Sequence, residues 1–354
     1  MTVDYSNFNA LINKLYLLLS TLKYATEIFC NQKVFKTYLE SDNRPTYNRG
    51  LVVLRRCPMP DHEYRKGILL AVSAYCMWGF APLYFKLLQQ VSATEILLHR
   101  VIWSFVFMVI IMMFIGGFEK LRQLFKQPRQ LMVLTVTSIL IAGNWLIFIW
   151  AVNNDHMLDA SLGYFINPLL NVLLGMLFLG ERLRKLQWFA VALASAGVLI
   201  QLISFGSIPI VSLALAGSFG FYALLRKKVN VDAKSGLLVE TALLLPVALI
   251  YLLTTLDAAT ANMLTNNWHL NLLLMAAGIV TTIPLLCFAG AAVRIPLSML
   301  GFFQYIGPSI MFILAVSLFN EPFDAEKGVT FGFIWSALLI FTLDMAYKRK
   351  KVQA

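Results

Sequence analysis

Charged residues are scarce in this chain. Asp, Glu, Lys and Arg make up 13% of its 354 residues, whereas soluble domains carry about 25%. Hydrophobic types make up 59%, and the mean hydropathy is +0.73. A soluble fold could not cover its surface with so few polar side chains, but a surface that faces lipid needs few of them. The composition therefore excludes an ordinary soluble domain and predicts an integral membrane protein.

Motifs for metal, redox or nucleotide chemistry are also missing. The cysteines form no CxxC pair, so we expect neither a disulfide framework nor a zinc site: Cys30, Cys57, Cys76 and Cys287. The histidines form no HExxH or similar metal-binding spacing: His62, His99, His156 and His269. No GxxxxGK[ST] sequence occurs, which argues against direct ATP drive. We therefore expect no metal, no cofactor and no enzymatic activity.

The net charge of +11 does not indicate nucleic-acid binding, because the Lys and Arg residues lie in short clusters between apolar runs. Such clusters are typical of cytoplasmic loops beside anionic lipid. The expected partners are therefore a small-molecule substrate and membrane lipid, with no nucleic acid. The sequence predicts no particular oligomeric state.

Apolar runs of about 20 residues, the length that crosses a ~30 Å hydrocarbon core, recur after Lys66. Ten such runs are predicted to span the membrane: Gly67–Phe85, Ile96–Ile115, Leu131–Val152, Leu158–Leu179, Trp188–Phe205, Ile208–Leu225, Leu237–Leu256, Leu270–Ala289, Pro296–Leu318 and Val329–Ala346. Residues 1–64 lack such a run. We interpret them as an N-terminal extension that is either loosely ordered or upstream of a native start at Met59.

The basic residues between the runs predict the orientation. If Arg65 and Lys66 lie in the cytoplasm, the same side receives most of the others: Lys120, Arg122, Lys126, Arg129, Arg182, Arg184, Lys185, Arg226, Lys227, Lys228, Lys234, Arg294 and Lys348 to Lys351. The opposite loops hold Lys327, with Lys86 and Arg100 at the membrane edge. By the positive-inside rule, both termini are predicted to be cytoplasmic.

An internal repeat is indicated by matching segments. The fourth run reads SLGYFINPLLNVLLGMLFLGE and the ninth reads MLGFFQYIGPSIMFILAVSLFNE; in each, a proline precedes the final glutamate by 13 residues. Pro168 and Glu181 thus match Pro308 and Glu321 at an offset of 140, and Trp78 matches Phe219 at 141. Five spans per copy would invert the second copy in the membrane, as in many secondary transporters. The predicted divisions are 65–205, 206–347 and a basic cytoplasmic tail at 348–354.

Several longer stretches resemble a known family: AYCMWGFAPLYFK, EILLHRVIWSF, GNWLIFIWAVNN, SLGYFINPLLNVLLGMLFLGERL and TTIPLLCFAGAAVRIPLSMLGFFQYIGP. From about Arg65 to Lys350 the chain is similar to the RarD subfamily of the EamA branch of the drug/metabolite transporter superfamily. The resemblance implies ten transmembrane helices, an inner-membrane location and transporter activity. The subfamily is named for chloramphenicol sensitivity, which does not identify a physiological substrate.

Charges inside membrane segments are the first candidates for function, because each costs roughly 2.5–3.5 kcal/mol at a helix centre. Glu95 and His99 are four residues apart and share a helix face. Arg100 begins a long apolar run. In one interpretation Arg100 attracts an anionic group while Glu95 or His99 binds a coupling proton. In the other, Glu95 stabilises the helix N-terminus and Arg100 snorkels to the headgroups.

Polar and aromatic residues inside other runs are further candidates. Asn144 lies in mid-span and needs a partner, either a substrate or a neighbouring helix; Trp145, Asn153 and Asn154 follow it. Another group could line an aromatic cavity or simply pack: Tyr75, Trp78, Tyr84, Tyr164, Asn167, Gln304 and Tyr305.

Helix-breaking and helix-ending residues form a third group. Pro168, Pro284 and Pro308 interrupt runs and could act as kinks, or as hinges in the case of the matched pair Pro168 and Pro308. Glu181 and Glu321 are expected to serve the helix ends. Small residues predict a close-packing face on the fifth run: Ala190, Ala194 and Gly197.

These observations predict an all-α integral membrane protein with ten transmembrane helices in two inverted five-helix repeats. The function they favour is a secondary transporter that moves a small metabolite or drug across the inner membrane by alternating access, with proton coupling as one option. A polytopic membrane enzyme is the alternative from another class, although it would usually show clustered His, Asp or Glu at a membrane face. A membrane protein without transport activity is the third.

Overall fold

Helices form every regular element in the part of the chain that the computed structural model describes, namely residues 61–153, 157–205, 209–254, 263–264, 266–318 and 325–353. A short 3₁₀ turn, Lys86–Leu88, follows the first helix. The α-helices are α1 (Asp61–Phe85), α2 (Ala93–Ile115), α3 (Phe118–Phe125), α4 (Pro128–Asn153), α5 (Met157–Leu179), α6 (Lys185–Phe205), α7 (Ile210–Val229), α8 (Ala233–Thr254), α9 (Trp268–Ala292), α10 (Leu297–Gln304), α11 (Ile306–Leu318) and α12 (Ala325–Gln353).

The helices provide ten membrane spans. Within the described residues, ten helical segments are long and apolar enough to cross a membrane, and they coincide with the ten predicted runs. The short helix α3 is not among them, and α10 and α11 together form the ninth span. Large apolar side chains such as Phe114, 87% exposed, and Ile203, 77% exposed, point outward, where lipid can cover them. The predicted all-α membrane fold is confirmed, while the N-terminal extension lies outside the described residues.

Local signals explain where some helices begin and end. The Ser92 hydroxyl accepts a hydrogen bond from the Glu95 backbone N–H at 3.2 Å, as in the Ser-x-x-Glu start of many helices. Gly116 and Gly180 follow α2 and α5 with φ of +73° and +63°, a left-handed conformation that glycine adopts without a Cβ penalty.

The sixth span is longer than its apolar run. The predicted run ended at Leu225, but α7 continues to Val229, so Arg226 and Lys227 lie on the helix and not in a loop. Lys227 Nζ donates to the carbonyl of Ala292 at 2.9 Å and also to that of Ile295, at the end of α9. Arg226 points into the bundle and is 1% exposed. Hydropathy missed this extension because basic side chains can continue a helix beyond the point where apolar residues stop.

The ninth span is interrupted at Tyr305, between α10 and α11. Pro308 has no N–H to donate to the carbonyl of Gln304, so the regular bonding pattern fails one turn earlier. Pro168 and Pro284, in contrast, lie within continuous helices. Of the two hinge candidates, therefore, Pro308 lies beside a break in its helix and Pro168 does not.

The spans pack in a pattern that places α1, α5, α7, α9 and α10 around the main apolar core. Close contacts are allowed by small residues: a Cβ on Gly301 of α10 would lie 2.7 Å from the carbonyl oxygen of Pro168 on α5. At the periphery α6 packs on α12, with Ala190 and Ala194 fully buried and Gly197 against Thr330 and Phe333. The small-residue face predicted for the fifth span is thus a helix-packing surface.

The basic loops share one face of the bundle. An ion pair joins Lys120, after α2, to Asp232, after α7, with 3.6 Å between Nζ and Oδ1. Arg184, after α5, pairs with Asp344 near the end of α12 at 3.0 Å. The second and sixth spans therefore end together, and so do the fourth and tenth. Lys227 at the end of α7 bonds to Ile295 and Glu181 after α5 bonds to Leu297, two residues further on, which places all four ends on the same face. We call it the basic face.

Candidate functional site

Arg100 lies inside the bundle and not at its rim. It is seven residues beyond the start of α2, which places its Cα about 10 Å along the helix. The side chain turns toward α9, where Nε donates to the Thr281 hydroxyl at 2.8 Å. The guanidinium carbon lies 5.0 Å from the ring centre of Trp145 and 5.5 Å from that of Phe85, which are cation–π distances.

Two phenols extend this cationic site. The phenols of Tyr84 on α1 and Tyr164 on α5 lie near enough to Arg100 to influence the charge of the guanidinium. Tyr84 also donates a hydrogen bond to the carbonyl of Leu273 on α9. Four spans therefore meet at one positive charge, namely α1, α2, α4 and α9, with Tyr164 of α5 nearby. We call this group the Arg100 site, defined by Tyr84, Phe85, Arg100, Trp145, Tyr164 and Thr281.

The guanidinium retains unused donors. Among the described groups, Arg100 makes one hydrogen bond, through Nε, and its two terminal nitrogens make none. Guanidinium presents five donors in a planar fork that fits a carboxylate or phosphate. The site can therefore bind an anionic group through the open edge of Arg100 while the aromatic rings hold the plane of the fork.

Glu95 and His99 lie on the same helix, five residues and one residue before Arg100. Both are buried, at 7% and 1% exposed. The Glu95 N–H belongs to the helix cap with Ser92, and both ring nitrogens of His99 lack a hydrogen-bond partner among the described residues. Of the adjacent candidates, Arg100 contacts side chains of three other spans, α1, α4 and α9.

Asn144 finds its partners on a neighbouring helix. Its Nδ2 donates to the carbonyl of Leu215 and to the hydroxyl of Ser218 on α7, both at 2.9 Å. Of the two roles left open by the sequence, the geometry favours helix attachment, because both amide hydrogens are already used. Nothing is described for the side chains of Asn153 and Asn154.

The candidates on the fourth and ninth spans form a polar chain between helices. Asn167 donates to the carbonyl of Ala216 at 3.0 Å, and Asn171 donates to Asn167 at 2.9 Å and to Gln304 at 3.0 Å. Tyr305 donates to the carbonyl of Phe165 at 3.3 Å. All four side chains in this chain are buried. Their polar atoms serve contacts among α5, α7 and α10, and Asn171 is a member that the sequence analysis missed.

Tyr75 and Trp78 belong to an aromatic cluster. Their rings are 5.7 Å apart and pack with Phe219, Tyr222 and Phe288 at centroid distances of 5.2–6.3 Å. The cluster joins α1, α7 and α9. Its rings contact one another and pack the interior between these helices, and a role in lining a substrate cavity stays a prediction.

Glu181 follows α5 but caps the N-terminal end of another helix, α10. Its two carboxylate oxygens accept from the backbone N–H groups of Leu297 and Ser298 at 2.7 and 2.9 Å, and from the Ser298 hydroxyl at 2.7 Å. The end of the fourth span thereby caps the start of the ninth, where the helix dipole favours a negative group. Its match Glu321 lies outside the described residues.

The sequence analysis missed two acidic residues inside spans. Glu240 on α8 is 1% exposed and pairs with Arg226, and Asp344 on α12 is 6% exposed and pairs with Arg184. Both lie within predicted runs, so a search for carboxylates in apolar windows would have found them. Thr281 could not have been selected, because a hydroxyl in an apolar helix usually bonds to its own backbone.

Ten apolar spans packed around charged and polar side chains define a multi-pass membrane protein. The EamA-like transporter family matches residues 65–203. An uncharacterized transporter of Vibrio cholerae serotype O1 is 62% identical over 80% of this chain and 95% of its own length. The protein RarD of Escherichia coli is 58% identical over 83% of this chain and 99% of its own. The chain therefore belongs to the RarD group of EamA-like transporters.

More distant relatives agree with this assignment. A chloramphenicol-sensitive protein RarD of Pseudomonas aeruginosa is 33% identical over 81% of this chain and 96% of its own length. A solved crystal structure superposes with a TM-score of 0.62, covering 78% of this chain and 97% of that one at 18% identity, and so shares the fold. The relatives support a membrane transporter role for this chain.

Proposed function

We propose that the protein is a secondary transporter that carries a small anionic metabolite or drug across the bacterial inner membrane by alternating access. The Arg100 site binds the anionic group. Both termini and the basic face lie in the cytoplasm, as the positive-inside rule requires for loops rich in Lys and Arg.

The observation that carries this proposal is the position of Arg100. A residue that snorkels would extend toward the headgroups, but Arg100 bonds to Thr281 and stacks on Trp145 inside the bundle. A charge in such a place costs several kcal/mol unless a partner offsets it. The unused donors of the Arg100 guanidinium can bind such a partner, which is the anionic group of the substrate.

Alternating access is supported by a correspondence between the two halves. In this correspondence, each helix of the first half matches one of the second: α1 matches α7, α2 matches α8, α4 matches α9, α5 matches α10–α11, and α6 matches α12. The contacts of α5 with α7 then become those of α10–α11 with α1, and the contacts of α4 with α7 become those of α9 with α1. The pairs α2–α8, α5–α10 and α6–α12 exchange with themselves. Inverted repeats of this kind can present the same site to either side by rocking.

Proton coupling is part of the proposal. Transport of an anion against the membrane potential is electrically easier when a proton moves with it. The titratable groups buried inside the spans that could carry this proton are Glu95 and His99 on α2 and Glu240 on α8.

The test is uptake into proteoliposomes by purified parent protein and by Arg100→Lys. The panel contains small carboxylates, organic phosphates and chloramphenicol, since one relative is named for sensitivity to that drug. The parent should take up an anionic member of the panel. Arg100→Lys should abolish that uptake at normal protein abundance, because lysine keeps the charge but loses the planar fork.

Arg294→Lys is the matched control. Arg294 Nε donates to Glu63 at 2.7 Å on the basic face, away from the Arg100 site. This variant should transport like the parent. If Arg100→Lys does so too, the anion site is wrong, and a lipid-anchoring role for Arg100 replaces it.

A further inference from the structure

Arg226 and Glu240 form a charged pair in the interior that the anion site does not use. The two residues lie on α7 and α8, and their side chains are 1% and 2% exposed. The shortest contact joins Arg226 Nη1 to Glu240 Oε1 at 3.7 Å, which is too long for a hydrogen bond. Glycine at 236 makes room for the guanidinium, since a Cβ there would lie 2.0 Å from Nη1.

Glu240 is held from two further sides. The Thr137 hydroxyl on α4 donates to Oε1 at 2.6 Å, and the Tyr222 hydroxyl on α7 donates to Oε2 at 3.4 Å. Among the described residues, Arg226 and Tyr222 are the titratable side chains in contact with the carboxyl. The side chains that α2, α3 and α9 pack around α8 here are apolar: Met108, Met112, Leu124 and Leu285.

The geometry of the Arg226–Glu240 pair is poor for an ion pair that only stabilises the fold. Arg226 Nε and Nη1 have no hydrogen-bond partner among the described groups, although both are buried. Removing two charges from water costs several kcal/mol per ion, and attraction offsets this only with good geometry and satisfied donors. The carboxylate accepts a short hydrogen bond from Thr137 and a long one from Tyr222, whereas the cation depends on the negative charge of Glu240. The balance of the site therefore changes sharply if that charge is lost.

Glu240 occupies a position on α8 that corresponds to the position of Arg100 on α2. Glu240 is seven residues beyond the start of α8, as Arg100 is beyond the start of α2. Arg100 bonds to a threonine of α9, and Glu240 bonds to a threonine of α4. The pair α2–α9 becomes the pair α8–α4 when the two halves are exchanged, and Arg100 and Glu240 are 140 residues apart in the sequence. The anion site and the Glu240 site thus lie toward opposite ends of the bundle, with Glu240 toward the basic face.

We propose that Glu240 is the proton-binding site of this transporter and that its protonation opens the basic face by leaving Arg226 without a counter-ion. A proton from water forms an O–H bond with one carboxylate oxygen of Glu240, while Arg226 keeps its own proton. The net charge of the pair changes from zero to +1. Water must then reach the guanidinium, so α7 and α8 separate at the basic face; release of the proton to water restores the closed pair. This inference rests on the proposed transport function.

Ser235 provides a readout that needs no substrate. It is 1% exposed and lies beside Gly236. Ser235→Cys is introduced after the four native cysteines are replaced by serine, and labelling by a membrane-impermeant maleimide is measured across the pH range. The rate is divided by that of Lys126→Cys, an exposed position on the same face, which removes the intrinsic pH dependence of thiol labelling.

The normalised rate should rise several-fold as the pH falls in the parent. Glu240→Gln should label rapidly at every pH, because it mimics the protonated acid. The double variant Arg226→Gln with Glu240→Gln should label slowly at every pH, since no uncompensated cation remains. Asp344→Asn, which breaks the Arg184 pair instead, should respond to pH like the parent.

Retention of the parent response by Glu240→Gln would overturn the proposal. Loss of the response in Glu95→Gln instead would also overturn it and would assign the proton to Glu95. If Glu240→Gln does not fold, Glu240→Asp must keep the response at a shifted midpoint, and an unchanged midpoint counts against Glu240. Failure of Arg100-dependent uptake with this labelling pattern intact would reject the transport proposal alone and leave a proton-controlled opening.

Discussion

At the scale of single residues, the polar groups inside the spans separate into two kinds. The side-chain amides of Asn144 and Asn167 donate hydrogen bonds to backbone carbonyls of α7. Arg100 and Arg226 keep donors that no described group accepts. Uncharged amides cost little when they attach one helix to another, so they persist as structural bonds. A guanidinium with unused donors costs more, which is why the two arginines and not the asparagines carry the functional proposals.

Asn144→Leu tests this distinction. The change removes two hydrogen bonds to α7, each worth about 0.6 kcal/mol and at most about 1.7 in a membrane bundle. We expect a lower midpoint of thermal unfolding in detergent and an unchanged KM for the transported anion. Trp145→Leu, one residue further along, should instead raise KM because it removes the ring under Arg100. An increased KM in Asn144→Leu would return Asn144 to the substrate site.

Single residues also show how far sequence could predict the site. Arg100 and Glu95 were found because a charge in an apolar run is conspicuous. Trp145 and Tyr164 were found as aromatic residues, but nothing in the sequence places them against Arg100, since the contact depends on how α2, α4 and α5 pack. Glu240 was overlooked although it lies four residues into a predicted span.

At the scale of helices, one carboxylate joins two spans that lie far apart in the sequence. Glu181 accepts three hydrogen bonds at the start of α10 and holds it against the end of α5. A Cβ on Gly175 would lie 2.7 Å from Oε2 of Glu181, so glycine there makes room for the carboxylate. The sequence predicted a terminal role for Glu181, and the structure shows that the terminus belongs to another helix.

Glu181→Ala should destabilise the bundle. Hydrogen bonds to a charged group contribute about 1.5–3 kcal/mol, and an N-cap about 1 kcal/mol, so a loss of roughly 1–3 kcal/mol is expected. Ser298→Ala is the matched control, because it removes one hydroxyl bond and leaves both backbone bonds. Denaturant unfolding in detergent measures the two changes. Equal stability of the two variants would show that the backbone bonds to Glu181 contribute little.

Helix boundaries were predicted less well than helix existence. Apolar runs of spanning length predicted all ten spans, because lipid imposes length and composition on each. The break at Tyr305 and the extension of α7 were not predicted. A proline in an apolar run does not reveal whether the helix bends, as Pro168 and Pro308 show. The basic end of α7 resembles a loop in hydropathy although it is helical.

At the scale of the whole molecule, the contacts among loops constrain the topology more than hydropathy does. The segments after α2 and α7 are joined by Lys120 and Asp232, and those after α5 and α9 by Glu181 and Leu297. Each pair therefore lies on one face, which requires an even number of crossings between its members. An error of one span in either half would place these partners on opposite sides of the membrane.

Reporter fusions test the resulting orientation. Fusions after Lys126, Lys185 and Lys228 should report the cytoplasm, because these positions lie on the basic face and the positive-inside rule retains basic loops there. Fusions after Asp155 and Asn262 should report the periplasm, since each follows an odd number of spans. A periplasmic signal at Lys228 would contradict the model of two inverted halves, because it would put the ends of the second and sixth spans on different sides. If all five signals are exchanged, the spans are correct and the orientation is reversed; the proton that we assign to Glu240 would then enter from the periplasm.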